Sequence, residues 1–193
     1  LGGEVTGHAP FGTATWSGPE GLAIDFATAR TETYPQPAAL PVVTPGASIA
    51  ADLRRRDFTI NAMALRVDGE HFGELLDPHG GQSDLAARVV RILHPGSFVD
   101  DPTRLFRAVR YGQRLDFCIA PETLALIPDA WDAMAALTGD RVRHEFELIF
   151  REPRAAVVLA LQDPVRRRVR GPVDDGGGLL GEARDLADRL GRR

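Results

Sequence analysis

The 193-residue chain has one cysteine, Cys118, and no lysine. A lone cysteine excludes a disulfide framework, and no zinc cluster is spelled out around it. No apolar run approaches the roughly 20 residues needed to cross a bilayer. The opening Leu1-Gly2-Gly3-Glu4-Val5 lacks the basic region and apolar core of a secretory signal. A cytoplasmic location is therefore expected. The missing initial Met also makes an N-terminal truncation the expectation. A basic excess is absent too: 23 cations against 27 acids leave a formal charge of -4. No global field draws such a chain onto nucleic acid, so any RNA contact has to use local patches. The histidines His8, His71, His79, His94 and His144 show no ligand spacing and read as structural or surface residues.

What is present fits a soluble globular chain of one or two domains, with 44% hydrophobic and 26% charged residues. Phe11 to Trp16 and Leu22 to Ala27 alternate around a Ser17-Gly18-Pro19-Glu20-Gly21 turn, which predicts a hairpin. Residues 34 to 47 hold four prolines and a glycine and read as a loop. A helix is expected from Ile49 through Arg55-Arg56-Asp57 to Ala64, with Ile60, Met63 and Ala64 on its apolar face. Leu65-Arg66-Val67 and Phe72 to Leu76 flank Asp68-Gly69, a small hairpin signal. Asp77 to Leu85 is a turn opening another helix, and Val89 to Leu93 is a short apolar segment. From Asp100 the period becomes helical, with Leu105, Val109 and Leu115 on one face. Pro121-Glu122 starts a further helix. Val142, Phe146, Ile149 and Phe150 mark the next, and residues 155 to 162 are apolar and Ala-rich. A mixed α/β segment is thus followed by an all-helical one, with the boundary near residue 95. After Asp163 come the charged run at residues 166 to 170 and a glycine-rich linker.

Two polar motifs stand out. Asp100-Asp101-Pro102-Thr103-Arg104 admits two readings. Asp before Pro is an ordinary helix start, and Asp and Arg three residues apart make an ordinary surface ion pair. Alternatively, a fixed carboxylate and guanidinium present one acceptor edge and one forked donor edge. Such a pair suits the Watson–Crick edge of a base with an exocyclic amino group, which cytosine and adenine carry and uracil lacks. Arg107 and Arg110 continue the series at steps of three, each turning the side chain by about -60°. They are either solvated cations or partners for a triphosphate or RNA backbone. In the first motif, Arg55, Arg56 and Asp57 read as solvent-facing charge at a helix start. Asn61, set among apolar residues, needs a partner. A ribose hydroxyl, a phosphate or Asp57 itself would serve. Phe106 and Tyr111 read as core aromatics, with base stacking as the alternative.

These motifs together resemble the class II tRNA nucleotidyltransferase/poly(A) polymerase family, in its bacterial CCA-adding branch. The resemblance runs over residues 1 to about 160 in the family's order. It includes Phe11-Gly12-Thr13, Ile24-Asp25, Arg30-Thr31-Glu32, Arg55-Arg56-Asp57 with Asn61, and Asp77-Pro78 to Asp84-Leu85. Asp100-Asp101-x-x-Arg104 is similar to the family's Glu-Asp-x-x-Arg template. Asp140-Arg141 with Glu145 is similar to its Glu-Arg…Glu motif. Asp replaces Glu at the first position of both. Met63 and Ala64 resemble the CCA-adding branch more than the poly(A) polymerases.

The resemblance implies an α/β (α+β) nucleotidyltransferase head over residues 1–94, incomplete, and an all-α neck over 95–163. An atypical tail follows over 164–193. It implies that Asp101 and Arg104 select CTP and then ATP, and that Arg56, Asp57 and Asn61 hold sugar and phosphates, aided by Arg107 and Arg110. The partners implied are the tRNA 3′ end, CTP and ATP, with Mg²⁺ as cofactor. The family's two principal metal ligands form an Asp-x-Asp pair after a Gly-Gly-x-Val-Arg-Asp turn. Neither pattern occurs here, and family order puts them upstream of Leu1. Asp25 resembles the third carboxylate of such sites; a strand acid facing water is the other reading. The chain alone is expected to be inactive. A non-catalytic nucleotide- or RNA-binding remnant, or a poly(A) polymerase relative, is the alternative function.

Overall fold

The computed structural model describes residues 2–8 and 12–152. Three antiparallel strands open the chain: β1 (Glu4–His8), β2 (Thr13–Ser17) and β3 (Ala23–Ala27). The predicted hairpin is β2–β3, and β1 pairs along the other edge of β2. The register sets Val5, Trp16 and Ile24 in one row and Gly7, Ala14 and Phe26 in another. Strand residues alternate between faces, so these six share one apolar face. Thr13, Thr15, Asp25 and Ala27 take the opposite face. Val5, Ile24 and Phe26 stay exposed.

β4 (Arg30–Thr33) pairs antiparallel with β5 (Val42–Pro45), from Arg30 opposite Pro45 to Thr33 opposite Val42. The loop expected over 34–47 is therefore shortened to 34–41. Val42-Val43-Thr44 is a β-branched run that suits a strand. Pro45 sits at the strand end, where the missing N–H costs least.

α1 (Ile49–Arg54) is capped by Ser48, whose Oγ accepts from the Ala51 N–H at 3.3 Å. It ends before the first motif, contrary to the single long helix expected. Asp57 Oδ1 accepts from the Phe58 N–H at 2.9 Å, and Phe58 is extended (φ −127°, ψ 152°). Phe58 bridges Ile92, and the Thr59 N–H donates to the Arg91 carbonyl at 2.9 Å. Tertiary pairing has replaced the helical hydrogen bonds, and only a 3-10 turn at Thr59–Asn61 remains.

The Asp68-Gly69 hairpin forms as predicted between β6 (Ala64–Leu65) and β7 (Leu75–Leu76). α2 (Gly81–Ala87) starts where expected, with the Asp77 carboxylate accepting from the Gly81 and Gln82 N–H groups at 2.6 and 2.9 Å. β8 (Val89–Val90) runs parallel to β9 (Cys118–Ile119). The remaining α-helices among the described residues are α3 (Ser97–Asp100), α4 (Thr103–Leu115), α5 (Pro121–Ala125), α6 (Trp131–Ala135) and α7 (Gly139–Phe150).

Among the described residues, two apolar clusters form the core. Phe106, Leu137, Val142, Phe146 and Ile149 enclose Ala38, joining α4 and α7 to the 34–41 loop. Phe58, Val90 and Ile92 pack with Phe98, Leu105, Ala108 and Ala130. This second cluster and the β8–β9 ladder both cross residue 95, so the mixed and helical segments share buried surface. Leu115, expected on the apolar face of α4, is exposed at the last residue of that helix. The apolar run at 155–162, the charged run at 166–170 and the 164–193 tail lie outside the described residues.

Candidate functional site

A cleft of about 600 Å³ opens where the two polar motifs meet. Thr13 and Ala27 of the first sheet wall one side, and Arg30, Glu32 and Tyr34 belong to β4 and the residue beyond it. The turn after α1 contributes Arg55, Arg56, Asp57 and Asn61. Asp101 and the start of α4, with Thr103, Arg104 and Arg107, form the opposite side, with Tyr111 one turn further on.

Asp52 of α1 organises the arginine-rich wall. It is buried, and its Oδ1 accepts from Arg55 Nε and Nη2 at 3.0 and 2.8 Å and from the Arg30 N–H at 3.0 Å. Its Oδ2 accepts from Arg56 Nε and Nη2 at 3.3 and 2.9 Å. Burial pushes this carboxyl up, but the hydrogen bonds from Arg55, Arg56 and the Arg30 N–H outweigh it and hold it below the usual carboxylate value. Arg55 also reaches Glu32 at 2.8 Å, stitching α1 to β4. In the sequence, the signal for Asp52 is its spacing of three and four residues before Arg55 and Arg56.

Asp57 is buried and uses both oxygens. Oδ1 accepts from the Phe58 N–H and from Asn61 Nδ2 at 3.1 Å, so the partner Asn61 needs is Asp57. Oδ2 accepts from Arg107 Nε at 2.8 Å and Nη2 at 2.5 Å. Burial alone would lower the Arg107 pKa; the Asp57 carboxylate reverses that and raises it.

Asp101 does not belong to α4. It precedes the helix in an extended conformation, φ −137° and ψ 94°. Its Oδ1 accepts from the Thr103 N–H at 3.1 Å, Thr103 Oγ1 at 2.6 Å and Arg141 Nη2 at 2.7 Å. Arg104 is only 5% exposed, which rules out a surface ion pair. Its Nη1 donates to Ser97 Oγ at 2.6 Å, and its Nη2 to the Arg55 carbonyl at 3.0 Å and Tyr34 Oη at 3.4 Å. The guanidinium lies 6.0 Å from the Tyr34 ring centroid. Both members of the pair line the cleft, each held by its own partners. Burial raises the Tyr34 pKa against the opposing Arg104 charge, so the phenol stays protonated.

Arg110 is not brought to the cleft. It is buried, with Nη1 3.9 Å from Glu152 Oε1 and its guanidinium 5.3 Å from the Tyr111 ring centroid. Successive turns of about -60° along α4 carry the stripe away from the opening. Tyr111 is half-buried between cleft and core, and Phe106 is a core residue, as its helical spacing suggested. Glu145 of α7 is buried; burial raises its carboxyl pKa more than Arg107 and Arg110 lower it. Its Oε2 has no hydrogen-bond partner among the described residues.

Asp25 is exposed on β3 and accepts from Thr15 Oγ1 at 2.6 Å. Among the described residues, no group of three or more His, Cys, Asp or Glu side chains could hold a metal ion. These donors do not fit a two-metal centre, which needs several carboxylate oxygens on one ion pair. No helix among the described residues is long and apolar enough to cross a membrane.

The chain matches two family models: the poly A polymerase head domain over residues 4–91, and the probable RNA and SrmB-binding site of polymerase A over residues 116–161. It is 44% identical over 156 residues to an A-adding tRNA nucleotidyltransferase of Halalkalibacterium halodurans, covering 79% of this chain and 36% of that protein. It is 45% identical over 149 residues to a CC-adding tRNA nucleotidyltransferase of Deinococcus radiodurans, covering 76% of this chain and 38% of that protein. The chain therefore spans little more than a third of these relatives. A solved CCA-adding enzyme, apo form II, superposes with a TM-score of 0.79 at 42% identity, over 84% of this chain and 38% of that one. A tRNA nucleotidyltransferase complexed with a primer tRNA and an incoming ATP analogue superposes at 0.72 with 38% identity, over 85% of this chain and 45% of that one.

Proposed function

Because the chain belongs to the class II tRNA nucleotidyltransferase/poly(A) polymerase family, we propose that its cleft selects and holds the nucleotide in an enzyme that adds CCA, or part of it, to tRNA 3′ ends. The substrates are CTP and ATP, and the reaction is nucleotidyl transfer. The observation that carries this reading is the convergence of Asp57, Asn61, Asp101, Arg104 and Arg107 on one cleft.

Asp101 offers its carboxylate to the exocyclic amino group shared by cytosine and adenine. Arg104 lies alongside, its fork held by Ser97 and the Arg55 carbonyl, and presents donor character to the ring nitrogen or carbonyl. A donor held in advance loses little freedom when the base arrives. Arg56 and the Asp57–Asn61–Arg107 group face the sugar and phosphates. Uracil presents no amino group to Asp101, so UTP is rejected.

A bound Mg²⁺ would supply charge neutralisation at the phosphates and a more acidic 3′-hydroxyl, but the described carboxylates of this chain do not by themselves form a site for it. Asp25, exposed on β3 and bonded to Thr15, would be one carboxylate beside such a metal. The helical segment from residue 95 is the tRNA-facing neck in this reading, and Arg110 serves it through packing with Glu152 and Tyr111.

Equilibrium binding of CTP, ATP and UTP to the 193-residue chain tests the reading. CTP and ATP are expected to bind more tightly than UTP, with the preference lost in Asp101→Ala. Equal binding of all three to the wild type, or an unchanged preference in the variant, contradicts it.

A further inference from the structure

Arg141 sits in the first turn of α7, outside the lining of the cleft. Its guanidinium forks between two elements. Nη1 donates to the Ala38 carbonyl at 2.6 Å, and Nη2 to Asp101 Oδ1 at 2.7 Å. Ala38 is no passive neighbour. It lies in the 34–41 loop with φ +59°, a left-handed conformation that only strong surroundings impose on alanine. Those surroundings are visible: its N–H donates to the Val99 carbonyl at 3.2 Å, and its methyl is buried with Phe106, Leu137 and Phe146. The loop is thus anchored on the helical segment, and Arg141 joins that anchor to Asp101.

The consequence lies in how the Asp101 oxygens are used. Oδ1 collects three donors, two from Thr103 and one from Arg141. Oδ2 receives none among the described residues. Both Thr103 donors come from one residue at the start of α4 and tether one point of the carboxylate. The third donor, on the same oxygen, comes from a separate helix and so restrains it from a second direction. One oxygen is then saturated and the other has a set direction as acceptor.

We propose that Arg141 is a positioning residue for base selection. It holds the Asp101 carboxylate with Oδ2 presented to the cleft. The inference rests on the base-reading role proposed above for Asp101. It needs the planar fork of arginine, because a lysine ammonium cannot reproduce two diverging donors on a rigid frame.

The experiment uses the 193-residue chain as wild type, Arg141→Lys, Arg141→Gln and Asp101→Ala. CTP and UTP binding are measured by calorimetry, with circular dichroism melting as a control for folding. Both Arg141 variants should lower the CTP-over-UTP ratio by about tenfold, the loss of one well-aligned hydrogen bond to a charged group. UTP affinity should stay close to wild type, because the phosphate-facing residues are untouched. A purely structural role would weaken both nucleotides alike and leave the ratio intact. An intact ratio in both Arg141 variants, with a collapsed ratio in Asp101→Ala, overturns the inference and leaves the base-reading role standing. An intact ratio in Asp101→Ala removes the base-reading role, and this inference with it. If Arg141→Gln melts below the assay temperature, Arg141→Lys decides. Unfolding of both assigns Arg141 to the fold and overturns the proposal.

Discussion

Arg107 and Asp57, fifty positions apart, form a two-point contact in which Nε and Nη2 of the arginine share one carboxylate oxygen. This contact joins the two polar motifs. The other oxygen of Asp57 holds the Phe58 N–H and Asn61, so one buried acid sets the shape of the turn after α1 and its distance from α4. Removing the guanidinium would leave a buried carboxylate short of a partner, a costly state in a low-dielectric site.

Arg107→Met should therefore destabilise the chain by about 2–4 kcal/mol, read as a lower midpoint in urea unfolding. In a double-mutant cycle with Asp57→Asn, the two losses should be strongly non-additive. Additive losses would mean that the contact carries no coupling.

Asp52 gives a pH dependence of definite sign. Its carboxyl is held below the ordinary 3.8, so it binds fewer protons folded than unfolded across that window. The stability it supplies is present above the unfolded value and is lost as pH falls through the folded one. Asp52→Asn should cost roughly 2 kcal/mol at pH 7, and the gap from wild type should close as pH falls below 3.8 and through the lower folded value. Thermal melts of both proteins between pH 2 and 7 check this; a gap independent of pH contradicts it.

Glu145 runs the other way. Burial raises its carboxyl above the ordinary 4.5, so the folded state favours the protonated acid. Its contribution is fully present below the unfolded value and is lost as pH rises through the folded one. Glu145→Gln, which mimics the protonated form, should match wild type near pH 4 and exceed its melting temperature increasingly toward pH 8. A constant difference across that range would show that burial does not govern this group.

Gly81 packs α2 against the 3-10 turn that holds Asn61. A Cβ there would meet the Thr59 carbonyl oxygen at 2.4 Å and Met63 Cγ at 2.7 Å. A backbone carbonyl cannot swing aside, so Gly81→Ala should destabilise by about 1–3 kcal/mol, as overpacking does. Amide exchange should quicken first at Thr59–Asn61.

Much of this architecture was legible in local pattern. Alternation gave β2 and β3, Asp68-Gly69 gave the β6–β7 hairpin, and helical spacing gave α4 and α7 with Phe106, Phe146 and Ile149 buried. The turn at Arg55–Asp57 was not legible, because the bonds that break the helix go to Arg91 and Ile92, some thirty residues away. The strand β5 was hidden by prolines that fall at its end rather than inside it. At the site, residue types and spacing picked out Asp57, Asn61, Asp101, Arg104 and Arg107, which the fold gathers around the cleft. They could not show that Arg104 is buried or that Arg110 turns toward Glu152. Tyr34 was missed because its importance lies in partners that only tertiary structure supplies, whereas the spacing of Asp52 to Arg55 and Arg56 was a local signal left unused.

The two polar motifs line one cleft, proposed above to hold a nucleotide. The most direct test is a titration of the isotopically labelled 193-residue chain with ATP, followed through its backbone amide resonances. The predicted result is perturbation of residues 56–61 and 101–107 together, with one common affinity, while the β6–β7 hairpin stays unmoved. Shifts confined to one motif, or centred away from both, would contradict it.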